Sequence, residues 1–231
     1  MIRRTDTKQL PDAQVLLIDD DPLFLRAVKR LLDKHGYHAT TYDSFETLTN
    51  AGPLPQVGCA VLDLNLPGSG GLEIQDKLKI AAPALSVIFL TGFAKVPSTV
   101  RAMKAGALDF LEKPAGDDLL ISAVRRAIDR SRQLYGEHLQ SAELRRNFES
   151  LTARERQVFA LITSGLLNKQ AAYELKIAEK TVKFHRARLM AKMGVESLAE
   201  LARAAERLAS GAEFVPSGSM AAEANGASRS R

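Results

Sequence analysis

The sequence predicts two folded units of different class: a doubly wound, parallel α/β domain followed by a separate all-helical one. Three observations carry this. Five short runs of strand type, four of them apolar, alternate with helical patterns over the first ~130 residues. Four of those runs stop at residues able to do chemistry: Asp19 and Asp20, Asp63, Thr91, and Lys113. From residue 151 onward helical patterns follow one another, with too few β-branched runs for strands.

The elements read in order as follows. Residues 15–18 (VLLI) form the first strand, and Pro22 stands where a helix can start, its fixed φ suiting the first turn. Leu23, Leu25, Val28, Leu31 and Leu32 then recur at helical spacing up to Gly36. Residues 38–42 are the second strand, and Asp43 with Glu46 reads as a capping box opening a short helix. Residues 57–62 are apolar throughout, as suits a strand buried on both faces. A turn at Pro67-Gly68-Ser69-Gly70-Gly71 leads into a helix over 72–80. Strand four follows at 86–90, a helix at 98–105 ending at Gly106, strand five at 108–112, and a closing helix at 122–134. Repeated βα units of this length give a three-layer domain with helices on both faces of the sheet.

The expected organisation is an N-terminal extension (1–13), the α/β domain (14–134), a linker (135–150), a helical domain (151–210) and a disordered tail (211–231). The linker is polar and interrupted by Gly136, with part of it read as a helical continuation. The tail is small and polar.

Composition bounds the function. With 45% hydrophobic and 26% charged residues the chain is an ordinary globular protein. No apolar run approaches the ~20 residues of a membrane span, and the N-terminus lacks the apolar stretch of a signal peptide, so the expected location is cytoplasmic. The single cysteine, Cys59, excludes an internal disulfide and reads as a small buried side chain on strand three. Charge is uneven. Within 151–210 there are 11 Lys+Arg against 6 Asp+Glu, and every Asp lies at or before Asp129. A basic helical unit suggests a polyanionic partner.

In an open parallel sheet the strand C-termini face one crevice, where such folds bind and react. The groups meeting there are carboxylates, a hydroxyl and an ammonium, which is the kit for Mg²⁺, a phosphoryl group and a nucleophilic aspartate. Asp63 as nucleophile needs no base, since a carboxylate is already ionised. It needs relief from the charge of the incoming group, which Mg²⁺ held by Asp20 and Asp63, with Asp19 beside it, would supply together with Lys113. The main-chain carbonyl of Asn65 is a further candidate ligand.

These residues resemble the receiver domain of two-component response regulators. The match runs over 14–134 through LLIDDDP, LDLNLPGSGGLE, LTG and FLEKP. The resemblance implies a flavodoxin-like five-stranded sheet of order 2-1-3-4-5. It implies that Asp63 accepts a phosphoryl group from a sensor histidine kinase's phosphohistidine, that Thr91 hydrogen-bonds the phosphoryl oxygen and that Lys113 pairs with it. It makes Phe110 the aromatic switch, Thr91 its partner, and the Lys113–Pro114 peptide cis. Haloacid-dehalogenase-type phosphatases also use an aspartate nucleophile and Mg²⁺. They want a second aspartate two residues on, where this chain has Asn65.

In the helical part, Thr152 and Glu155 form a capping box, Gly165 ends the helix, and residues 168–175 make a second helix capped by Asn168. A turn precedes a basic third helix over 180–193, and 197–208 make a fourth. Two helices joined by a tight turn are a helix-turn-helix. Val182, Leu189 and Met193 form a core-facing stripe, leaving Lys180, Lys183, Arg186 and Arg188 on other faces. The segment resembles the four-helix DNA-binding domain of LuxR/FixJ-type regulators. That resemblance makes 181–193 the recognition helix, with Lys180, Thr181, Lys183, Phe184, His185, Arg186 and Arg188 as DNA-contacting candidates and Tyr173 and Leu201 in the core. The whole is then expected to be a response regulator, not a turnover enzyme. It would bind promoter DNA and activate transcription with RNA polymerase, phosphorylation either favouring a homodimer or releasing the helical domain from the receiver.

Overall fold

The computed structural model describes residues 10–92 and 95–210. The expected tail and residues 1–9 of the expected extension lie outside the described residues. The chain divides into two compact units, at Glu137 and His138.

The first unit holds five parallel strands, β1 (Gln14–Ile18), β2 (His38–Tyr42), β3 (Gly58–Leu62), β4 (Ser86–Thr91) and β5 (Asp109–Glu112), in the order β2-β1-β3-β4-β5. The helices between and after them are α1 (Pro22–Lys34), α2 (Phe45–Asn50), α3 (Gly71–Ala81), α4 (Val96–Lys104) and α5 (Asp117–Glu149). Strand side chains alternate between faces, and this splits the core in two. Val15, Leu17, Cys59, Val61, Ile88 and Leu90 pack with Leu25, Val28 and Leu32 of α1 and Val124 and Ile128 of α5. Leu16, Ile18, Ala60, Leu62, Val87 and Phe89 pack on the other face with Ile74 and Leu78 of α3 and Ala102 of α4. This is the predicted three-layer fold, and its strands lie within one residue of the predicted spans.

Two local expectations are corrected. The cap of α2 is Ser44, whose hydroxyl accepts from the Thr47 amide, rather than Asp43 with Glu46. Asp43 instead accepts from the hydroxyls of Ser44 and Thr47, which hold its carboxyl below the ordinary value. Helix α5 does not stop at 134: it continues unbroken through Gly136 to Glu149, so nearly all of 135–150 is helix. In the first unit this helix is anchored by Ser131, whose buried hydroxyl accepts from the Gly58 amide at 2.9 Å, and by Tyr135, which donates to Gln56 at 2.8 Å.

The second unit comprises the end of α5 with α6 (Ala153–Thr163), α7 (Asn168–Leu175), α8 (Glu179–Met193) and α9 (Leu198–Ser210). Its core is built on Val158, Phe159, Ile162, Val182, Leu189, Met193 and Leu201, with Leu144 and Phe148 of α5 packed against it. Phe148 meets Phe159 edge-on at 5.1 Å. The Thr152–Glu155 capping box is present. Glu155 is buried, and the Lys192 ammonium at 2.7 Å together with the Thr152 amide holds its carboxyl down to about 2.

Two further expectations fail here. At the start of α7 the Gln170 side chain accepts from the Leu167 amide, while Asn168 accepts from Arg186 instead of capping. Tyr173, expected in the core, is 84% exposed. Ala171, Ala172 and Leu175 take the inward face of this short helix, and a residue two positions from Ala171 is turned away from it. Among the described residues no helix is long and apolar enough to cross a membrane.

Candidate functional site

The register of the sheet builds the first site. Ile18 pairs with Leu62 across β1 and β3, so Asp19 and Asp63 leave the sheet side by side, tied by the Asp63 amide donating to the Ile18 carbonyl at 3.0 Å. Thr91 pairs with Glu112 across β4 and β5, and the Lys113 amide donates to the Thr91 carbonyl at 2.8 Å. Residues from 19 to 113 thus meet at one sheet edge, as the sequence requires of them.

Carboxylate oxygens of Asp19, Asp20 and Asp63 lie within 4.8 Å of one another. The Lys113 ammonium is 2.5 Å from Asp19 and 3.9 Å from Asp63. Asp19, Asp63 and Thr91 are buried, while Asp20 is exposed. Burial pushes the Asp19 carboxyl up, against the lowering pull of the Lys113 hydrogen bond. Three acids facing one ammonium leave an excess of negative charge on hard oxygen donors, a set that fits a small divalent cation such as Mg²⁺. Asn65 is exposed in the loop between β3 and α3, and the Lys113–Pro114 peptide is cis. Phe110 lies half-buried on β5 with its ring 5.9 Å from that of Phe89.

Three residues shape this pocket without having been singled out as site residues. Asp21, third in the acidic run, is the cap of α1: its carboxylate accepts from the amides of Leu23 and Phe24 at 2.8 and 3.2 Å. A run of three acids is thereby divided between helix capping and the pocket. Gly71 lets α3 start close to the site, since a Cβ there would stand 2.3 Å from the Asp63 carbonyl oxygen. Phe24 presents its ring to the Lys113 ammonium, 4.0 Å from the centroid. Phe24 was not among the residues read at helical spacing in the sequence.

The second site is the outer face of α8. Lys176 in the left-handed conformation ends α7 and sends the chain through a short turn. With Val182, Leu189 and Met193 turned inward, the exposed residues of α8 include Lys180, Lys183, Phe184 and Arg188, which follow helical spacing on the opposite face. Thr181, His185 and Arg186 are half-buried. Arg186 reaches Asn168 at 3.3 Å, which ties α8 to α7. Lys183 pairs with Glu179 at 2.9 Å, and the Arg188 guanidinium stands 5.1 Å from the centre of the Phe184 ring.

Residues 15–125 match the response regulator receiver domain, and residues 149–205 match the bacterial regulatory proteins of the luxR family. The chain is 38% identical to response regulator protein TodT of Pseudomonas putida over 194 residues, 84% of this chain and 86% of TodT. It belongs to the two-component response regulators. The regulator is also 39% identical over 191 residues to the transcriptional regulatory protein FixJ of Azorhizobium caulinodans, 83% of this chain and 90% of that one. Among solved structures, the response regulator StyR matches with a TM-score of 0.74 at 38% identity, covering 85% of the regulator and all of StyR. Full-length FixJ from B. japonicum matches at 0.52 and 34%, covering 87% and 99%. The regulator is therefore a receiver joined to a luxR-type DNA-binding domain, a transcriptional regulator whose partner classes are a kinase and promoter DNA.

Proposed function

We propose that the regulator accepts a phosphoryl group on Asp63 in a Mg²⁺-dependent reaction, from the phosphohistidine of a sensor histidine kinase, and that this controls promoter binding and activates transcription. The observation that carries the reading is the gathering of the Asp19, Asp20 and Asp63 carboxylates within 4.8 Å of one another at the strand ends, with the Lys113 ammonium against Asp19 and Asp63. Asp20, Asp63 and Asp19, with the main-chain carbonyl of Asn65, would hold Mg²⁺, which when bound would offset the charge of the incoming phosphoryl group.

The protein's own groups do the rest. An oxygen of the Asp63 carboxylate forms a bond to phosphorus while the donor's P–N bond breaks, and the imidazole nitrogen keeps the electron pair. Lys113, already 3.9 Å from Asp63, moves its charge onto the new phosphoryl oxygens. Thr91, at the end of β4, hydrogen-bonds one of them, and Phe110 turns inward on β5 as the pocket rearranges. The regulator forms and loses its own acyl phosphate and turns over no separate substrate. The resulting shift favours a homodimer that places two α8 helices on promoter half-sites in contact with RNA polymerase, in the cytoplasm. Lys180, Thr181, Lys183, Phe184, His185, Arg186 and Arg188 carry the DNA contacts.

Intact mass after incubation with acetyl phosphate tests the chemistry. Wild type should gain one phosphoryl group only with Mg²⁺, and Asp63→Asn none. An adduct on Asp63→Asn, or none on the wild type, would remove Asp63 as the acceptor.

A further inference from the structure

We infer that Phe24 is a positioning residue for phosphoryl transfer, holding the Lys113 ammonium at the pocket through the face of its ring. The inference rests on the reading of Asp63 and Lys113 given above.

Lysine is a point charge on a flexible four-carbon stem, so its position depends on what surrounds the ammonium. Here those surroundings are unequal. Asp19 is at 2.5 Å, Asp63 at 3.9 Å, and the Phe24 ring centroid at 4.0 Å, within cation–π reach. The Lys113 side chain is only 19% exposed, so little water competes for it. Phe24 is itself held in place. Its amide donates to the Asp21 cap of α1, and its side chain packs against the core formed by Leu25, Val28 and their neighbours. With Asp19, Asp63, Val61 and Leu90 it lines a small void directly beneath the acids.

The chemistry explains why a ring is useful there. When a phosphoryl group reaches Asp63, the ammonium must loosen its hold on Asp19 to meet the new oxygens. A carboxylate partner opposes that exchange, because it competes for the same charge. An aromatic face attracts the cation without being a rival anion, so it keeps Lys113 in the pocket mouth before and after the exchange. A leucine would fill similar space and offer no such attraction.

The test compares the rate of phosphoryl gain from acetyl phosphate with Mg²⁺, by intact mass, in wild type, Phe24→Leu, Phe24→Trp, Lys113→Ala and the Phe24→Leu/Lys113→Ala double variant. Phe24→Leu should slow the reaction roughly 3- to 30-fold, Phe24→Trp should restore most of the rate, and Phe24→Leu should add nothing once Lys113 is alanine. Proton NMR of the unphosphorylated protein should place the Lys113 ε-methylene resonances upfield through the ring current, and Phe24→Leu should abolish that shift. If wild type reacts and Phe24→Leu reacts equally fast, or slows equally in the Lys113→Ala background, the ring acts only as packing and the inference is overturned alone. Wild type that gains no phosphoryl group overturns the Asp63 reading and this inference with it.

Discussion

The acidic pocket and the basic face of α8 use charge in opposite ways. The pocket gathers Asp19, Asp63, Thr91 and Lys113 from four strand ends into a site where three of these side chains are buried. The Lys113 ammonium stands against Asp19 and Asp63 there, and removing it leaves buried carboxylates uncompensated in a low-dielectric setting. On α8 the cations come from one stretch of helix at the surface, where even the Lys183–Glu179 pair is solvent-exposed and screened by salt. Changes in the pocket should therefore act as a unit, and changes on α8 should be graded.

The sharpest test of that contrast is Lys113→Ala, which should slow phosphorylation by acetyl phosphate roughly 10²- to 10³-fold in an intact-mass time course. A loss under tenfold would place the pocket in the same graded class as the helix. Salt should separate the two sites next. If four cations of α8 meet phosphates, raising KCl from 50 to 200 mM should weaken DNA binding by about a hundredfold, while the phosphorylation rate changes far less. Fluorescence anisotropy against mass spectrometry at matched salt measures both. A single surface change, Lys183→Ala, should weaken binding by about tenfold or less and lower the salt slope by about one.

Buried charge in the helical unit makes a smaller, pH-dependent contribution. The Glu155 carboxyl is held at about 2 by Lys192 and Thr152, below its value of 4.5 in an unfolded chain. A group depressed on folding stabilises the fold above its unfolded value and loses that contribution as pH falls through its folded one. Urea unfolding followed by α-helical signal should show the helical unit weakening between about pH 4.5 and about 2, and Glu155→Gln should flatten that slope. The smallest effect belongs to Cys59. Burial pushes its thiol up to about 12, so a thiol-specific reagent at pH 8 should leave the native protein unlabelled.

Much of this was legible in the sequence where one physical signal dominated. Most strands of the α/β unit are short apolar runs bounded by turn residues, too short for buried helices, while HATTY of β2 is half polar. The pocket acids and Lys113 were legible because each directly follows such a run. Helix α5 was cut short for a different reason. Its buried positions in the first unit, such as Val124 and Ile128, and its packing positions in the second, Leu144 and Phe148, serve two separate cores. With Gly136 between them, no single apolar stripe runs its length, and a glycine's cost of ~1 kcal/mol is met by the surrounding helix. Tyr173 was misplaced because aromatic character outweighed phase, although Ala171, Ala172 and Leu175 already marked the inward face. Phe24 was hidden because a ring in an amphipathic helix looks like core until its distance to Lys113 is known.

The Glu179–Lys183 pair at the head of α8 would give that helix, if it reads DNA, an internal rival for phosphate. A phosphate that captures Lys183 must first displace a carboxylate, and Glu179 is then left facing a polyanion. That penalty falls on every duplex alike. If Lys183 meets a phosphate, only a site that repays the lost pair through further contacts along the helix would be occupied for long. Replacing it with glutamine should raise affinity for random DNA more than for the true operator, which binding titrations on the two duplexes would resolve.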